Sequence, residues 1–183
     1  MPAYQNREVD ALTALSSREF LAVLSYDTGV ERVAVEIESR ERNVGETRRF
    51  VRQQLARWGL PEDDEFADRV LLVVSELVTN AVLHGRTRPE EESESVGVAL
   101  AWKRHSVLGI MVTDKSCDIP LVNIRRPVSA INGRGLVLVN AQSDGWTAAP
   151  NCGREGVVSG KAVWAFFECP QMAVLPELMP QSA

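Results

Sequence analysis

Arg69-Val-Leu-Leu-Val-Val-Ser-Glu-Leu-Val-Thr-Asn-Ala-Val-Leu-His-Gly85 is the stretch on which the fold turns. Its apolar side chains run almost the whole way round a helical wheel, the pattern of a helix buried on most sides. Glu76 and Asn80 interrupt that surface four positions apart, so they stack on one helical face. A carboxylate among valines and leucines is costly without a partner, which points to a ligand, a metal-bound water or a catalytic task.

Outward from this helix the chain divides into short elements. On the N-terminal side, Asp63 and Asp64 can cap it, and Phe66 and Val70 extend its apolar face. A preceding helix is expected to start at Asn43, with Glu46 completing a capping box, and to bury Val44, Val51, Leu55 and Trp58 before Gly59 and Pro61 stop it. Val33, Val35 and Ile37 alternate as a first strand. On the C-terminal side, Val96, Val98, Leu100 and Trp102 alternate with Gly97, Ala99 and Ala101. Lys103 to Ser106 then turn the chain into a strand from Val107 to Thr113 that ends at Asp114. An irregular segment, Lys115 to Asn132, contains Arg125 and Arg126. Gly133-Arg134-Gly135 opens a short helix, Leu136 to Ala141. A strand around Trp146, a glycine-rich turn and a strand from Ala162 to Phe167 close the series.

Strands joined as hairpins are antiparallel, and the helices need one face to cover. The expected fold is α+β, a two-layer sandwich of a mixed, mostly antiparallel sheet covered on one face by helices. Residues 29–169 form the domain. Residues 1–28 form an N-terminal extension, either partly ordered or a docking or dimerisation element, and 170–183 a flexible tail.

Bulk properties narrow the function. The chain has 183 residues, 45% of them hydrophobic, enough for one domain with a real core. A net charge of −5 argues against nucleic acid as the main partner. The acidic run Pro89 to Glu94 reads as a solvated loop. The absence of a transmembrane run or signal-peptide pattern argues against a membrane or export. Cys117, Cys152 and Cys169 are far apart and lack metal-ligand spacing, so reduced thiols in a cytoplasm are expected.

Three places carry chemistry. An amide oxygen on Asn80 suits Mg²⁺, and a carboxylate one turn earlier, on Glu76, can serve as general base. Equally, Glu76 can face solvent with Asn80 near the helix end. Asp114 can accept a hydrogen bond from an exocyclic amine such as adenine's, or bond its own backbone in a turn. Gly133-Arg134-Gly135 at a helix start can bring free amides to phosphate oxygens, with Arg134 adding a charged contact, or can be a simple turn.

Ser75-Glu76-Leu77-Val78-Thr79-Asn80-Ala81-Val82-Leu83-His84-Gly85 resembles the N box of the GHKL ATPase superfamily, in particular its stand-alone anti-sigma-factor serine/threonine kinase-like proteins of actinobacteria. Arg48 to Leu60 resembles that family's first helix. Thr113-Asp114-Lys115-Ser116 with Pro120 resembles its first glycine box, and Gly133-Arg134-Gly135-Leu136 through Trp146 the second. Gly160-Lys161-Ala162-Val163-Trp164-Ala165 resembles the closing strand. The likeness covers residues 30–168 in the family's order. It implies an ATP-binding sandwich in which Asn80 helps hold Mg²⁺, Asp114 reads adenine, Gly133, Arg134, Gly135 and Leu136 lie by the phosphates, and Glu76 is the general base. It also implies protein partners, a sigma factor and an anti-sigma-factor antagonist, and a homodimer. One departure is Ala162, where the family's pattern has a threonine that holds an adenine-bound water. That departure implies weaker nucleotide binding and motivates the alternative of a non-catalytic partner-switching module.

Overall fold

The structure, a computed structural model, describes residues 17–60, 64–89, 92–120, 135–152 and 156–169. The elements in order are α1 (Ser17–Tyr26), β1 (Val30–Glu38), α2 (Arg42–Arg57), α3 (Glu65–His84), β2 (Ser95–Lys103), β3 (Val107–Asp114), α4 (Gly135–Gln142), β4 (Gly145–Cys152) and β5 (Val158–Glu168). The five strands form one sheet in the order β1-β2-β3-β5-β4, and every pairing is antiparallel. The α+β two-layer sandwich therefore stands as expected, with a wholly antiparallel sheet rather than a mixed one.

Alternation along each strand sorts the side chains into two layers. Val96, Val98, Leu100 and Trp102 of β2, Leu108, Ile110 and Val112 of β3, and Val163, Ala165 and Phe167 of β5 point to one side, where they meet α2, α3 and α4 in the main core. The α3 helix fills the centre of that core with Val70, Val73, Val74, Leu77 and Val78, each 3% exposed or less. Burying a valine or leucine so completely contributes about 1.5–3 kcal/mol each, so the helix is held by packing rather than by intrinsic propensity. Asp64 caps it as expected, its carboxylate accepting from the Ala67 amide at 2.9 Å. Trp58 at the end of α2 stacks on Trp102, with ring centroids 5.4 Å apart.

Two details differ from the sequence reading. The α2 helix starts one residue earlier, at Arg42, and makes no capping box. Glu41 at the cap already has helical backbone angles and no side-chain cap bond. Asn43, inside the first turn, turns back instead and donates to the Glu38 carbonyl at 2.8 Å, which ties the helix to the end of β1. The second difference is α1, which lies on the sheet's other face, so the helices do not all cover one side. Phe20 and Leu24 pack there with Ala101, Val107 and Phe166, and Phe20 stacks on Phe166 at 5.2 Å. Gly109 makes this docking close, because a Cβ on it would overlap the Leu24 side chain. Residues 1–16 and the tail from 170 lie outside the described residues.

The α4 helix runs antiparallel to α3. Near its C-terminal end, Arg69 of α3 donates to the Gln142 carbonyl and to Asp144 Oδ1, both at 2.8 Å. Asp144 Oδ2 in turn accepts from the Glu168 amide at 2.8 Å. This clamp fixes the α4–β4 corner, so the other end of α4 comes to rest beside the polar positions of α3.

Candidate functional site

Glu76 and Asn80 are both half-buried on α3. They face the first residue of α4: a Cβ built on Gly135 would sit 2.8 Å from Glu76 Oε2, 3.0 Å from Asn80 Nδ2 and 3.2 Å from Asn80 Oδ1. Only a residue without a side chain lets the backbone come this near. The amides of the first helical turn have no partner within their own helix, so α4 brings polar N–H groups to a carboxylate and an amide. Leu136 is half-buried in the same turn. Gly133 and Arg134 lie outside the described residues, as do Arg125 and Arg126.

Asp114 ends β3 on the helix-covered face and is buried. Its surroundings are close on two sides. A Cβ on Gly85, just past α3, would lie 2.5 Å from both Cβ and Cγ of Asp114, and one on Gly160 would overlap the Asp114 carbonyl oxygen. Gly85 is thus required for close approach rather than for a left-handed helix end, since its φ is −92°. The Gly85 carbonyl also accepts from the Lys115 amide at 3.2 Å, which ties the end of α3 to the end of β3. Asp114 thus abuts Gly85 at the end of α3, five residues beyond Asn80 on the same helix.

The carboxylate of Asp114 is engaged through Oδ1, which accepts from the Ser116 amide and from the Lys161 ammonium, each at 2.9 Å. The turn bond anticipated for an aspartate in this place is therefore made, and among the described residues no donor meets the second oxygen. Burial pushes the Asp114 carboxyl above its ordinary range, while the Lys161 hydrogen bond and charge and the Ser116 amide pull it back only in part.

Lys161 escaped the sequence reading, which singled out Ala162. Asp114 pairs with Lys161 and Thr113 with Ala162, so Lys161 shares a face with Asp114 and Ala162 points the opposite way. The strand's burial does not alternate, since residues 160–163 are all buried, so only the register to Asp114 places Lys161 on the face of Val163, Ala165 and Phe167.

Glu94 also departs from expectation. It belongs to the acidic run taken as solvated, yet it is buried and accepts from both the amide and the hydroxyl of Thr87. The Thr87 hydroxyl foremost holds its carboxyl below the usual range.

With this geometry in place, the family model for the histidine kinase-like ATPase domain matches residues 37–154. The chain belongs to that family. No curated protein matches it. Among solved structures, a similar one is the crystal structure of the RsbU and RsbW domains of Rv1364c from Mycobacterium tuberculosis. The similarity has a TM-score of 0.53 at 17% identity and covers 76% of this chain. This chain spans 32% of that one. At this identity the likeness concerns the fold. Histidine kinase-like ATPase domains bind ATP. Among the described residues no helix is long and apolar enough to cross a membrane.

Proposed function

We propose that this histidine kinase-like ATPase domain is an ATP- and Mg²⁺-dependent serine/threonine kinase that doubles as an anti-sigma factor, acting in the cytoplasm on two protein partners. These are an anti-sigma-factor antagonist, which it phosphorylates, and a sigma factor, which it sequesters. The observation that carries the reading is the meeting of Gly135 with Glu76 and Asn80, with Asp114 against Gly85 at the end of the same helix; the proposed site is the gap between these groups.

The residues fit the ligand. Gly85 and Gly135 let the backbone come close where a Cβ would crowd Asp114, Glu76 or Asn80. Asp114 Oδ2 is an acceptor suited to the exocyclic amine of adenine. The Asn80 amide oxygen is a hard, neutral donor that supplies one ligand to Mg²⁺, whose shell is otherwise waters and phosphates. The Gly135 and Leu136 amides, with Gly133 and Arg134 just before them, favour anionic oxygens at the α4 N-terminus. Bound ATP supplies the phosphoryl group. Glu76 takes the proton of the incoming serine or threonine hydroxyl as general base, and the polar groups around it supply position and charge stabilisation, the main demands of phosphoryl transfer.

Residues 29–169 are the catalytic unit in this reading, with the 1–28 segment an addition to it, and two copies pair as a homodimer. A purely binding module is the alternative; Ala162, one of its two motives, lies on the face away from Asp114.

The test is incubation with labelled ATP, Mg²⁺ and an antagonist protein, comparing wild type with Glu76→Ala. Label should move to a hydroxyl of the antagonist with wild type and fall by about 10²–10⁴-fold with the variant, the usual worth of a general base. Wild type that binds ATP and transfers nothing leaves the chain a binding module and removes the kinase.

A further inference from the structure

Lys161 is a buried cation for which neither stability nor the proposed phosphoryl transfer accounts. It is 7% exposed, and its ammonium sits 2.9 Å from Asp114 Oδ1. A buried ion pair of this kind often contributes no more stability than apolar residues of the same volume, because both charges lose their water. Its place is therefore better explained by something it binds.

The pair is held rigidly. Gly85 abuts the Asp114 side chain, Gly160 abuts its backbone carbonyl, and the Ser116 amide fixes Oδ1. Among the described residues no donor meets Oδ2. An ammonium has three N–H donors, and Asp114 takes one of those on Lys161. The pair thus presents a fixed acceptor next to a fixed donor. A 6-aminopurine matches that order, since its exocyclic amine donates and the neighbouring ring nitrogen N1 accepts. A 6-oxopurine reverses it, setting a carbonyl against the carboxylate and an N–H against the ammonium.

We propose that Lys161 donates to N1 of adenine while Asp114 accepts from the exocyclic amine, so that this ion pair, rather than a hydroxyl and a bound water, reads the base. The inference rests on the reading of the gap as an ATP site. It makes Lys161 a base-specificity residue and disfavours GTP.

The experiment is calorimetric titration of Mg²⁺-ATP and Mg²⁺-1-deaza-ATP, in which a C–H replaces N1, into wild type, Lys161→Met and Lys161→Gln, with circular dichroism to establish folding. Wild type should bind ATP about tenfold to a hundredfold more tightly than the deaza analogue, the worth of a hydrogen bond to a charged group. Lys161→Met should lose that factor for ATP and change less than about twofold for the analogue, as expected when the contact is already absent. Lys161→Gln, which keeps a donor, should recover part of the loss. Equal losses for the two nucleotides would assign Lys161 to holding Asp114 and overturn the proposal, as would unchanged ATP affinity in the methionine variant. If Lys161→Met does not fold, the glutamine variant carries the same comparison, and equal losses there overturn it. Wild type that binds neither nucleotide overturns the reading of the gap itself, an outcome distinct from all of these.

Discussion

Replacing Gly135 with alanine should separate the site from the fold. The new Cβ would begin 2.8 Å from Glu76 Oε2, and ordinary contact starts at 3.4 Å, so the carboxylate must retreat by about 0.6 Å. The Asn80 amide nitrogen, 3.0 Å away, must retreat by about 0.4 Å. Both are ends of flexible side chains, so the fold can yield at a rotamer cost of about 0.5–1.5 kcal/mol. Alanine offsets that by up to about 1 kcal/mol through its better helix propensity. Thermal melting should therefore shift by no more than about 6 °C. The site has less tolerance, because a misplacement of about 1 Å can cost a hundredfold. About half that displacement predicts roughly a tenfold loss in phosphotransfer, and Mg²⁺-ATP affinity by calorimetry should fall with it. Unchanged affinity in a folded Gly135→Ala protein would refute the claim that this end of α4 faces the ligand. A collapse in melting temperature would refute the claim that only yielding side-chain ends stand in the way.

Three further outcomes follow from the same geometry. Asp114 must be ionised to accept from an amine, and its carboxyl titrates above the usual 3.8, so ATP affinity should fall as pH drops through that raised value. Lys161→Met removes the hydrogen bond and charge that hold the value down and should move the fall to higher pH. For the ligand-free protein the sign is opposite: the contribution of Asp114 to stability is fully present below 3.8 and is lost as pH rises through its folded value. On the far side of the sheet, Phe20 is fully buried, and Phe20→Ala should lower stability by about 3–5 kcal/mol in urea unfolding while leaving ATP affinity unchanged. A matching loss of affinity would mean that α1 communicates with the site. Burial pushes the Cys169 thiol up to about 11, so at pH 8 about one molecule in a thousand carries the thiolate. Iodoacetamide should label the exposed Cys117 at once and Cys169 only on unfolding, as read by peptide mass mapping.

Much of the architecture was legible because it is written in local periodicity. Val70 to Val82 announce a buried helix, Val96 to Trp102 a strand with one core face, and Asp64 a helix start, and each is found where the pattern puts it. The same holds for the short helix after Gly135, and for Glu76 with Asn80, whose spacing alone puts them on one face. What local pattern does not encode is which surface an element docks on. Phe20 and Leu24 lie in a segment whose sequence forms no sharp apolar stripe, and their partners Phe166 and Gly109 lie far along the chain and on the side of the sheet that simple layering leaves bare. Asn43 misled because an asparagine before a helix usually accepts from it, whereas here the amide donates backward to the preceding strand. Lys161 was missed for a different reason. Its neighbours on both faces of β5 are buried, so the alternation is weak in hydrophobicity and emerges only once the register to Asp114 is known.

The central claim is that the gap between α3, α4 and the ends of β3 and β5 binds Mg²⁺-ATP through Asn80 and Asp114. Calorimetric titration of wild type, Asn80→Ala and Asp114→Asn tests it most directly. Saturable binding to wild type, weakened by about tenfold or more in each variant, is the predicted result, since each loses a contact involving a charged group or ion. Wild type that takes up no nucleotide, or folded variants that bind as tightly as wild type, would contradict it.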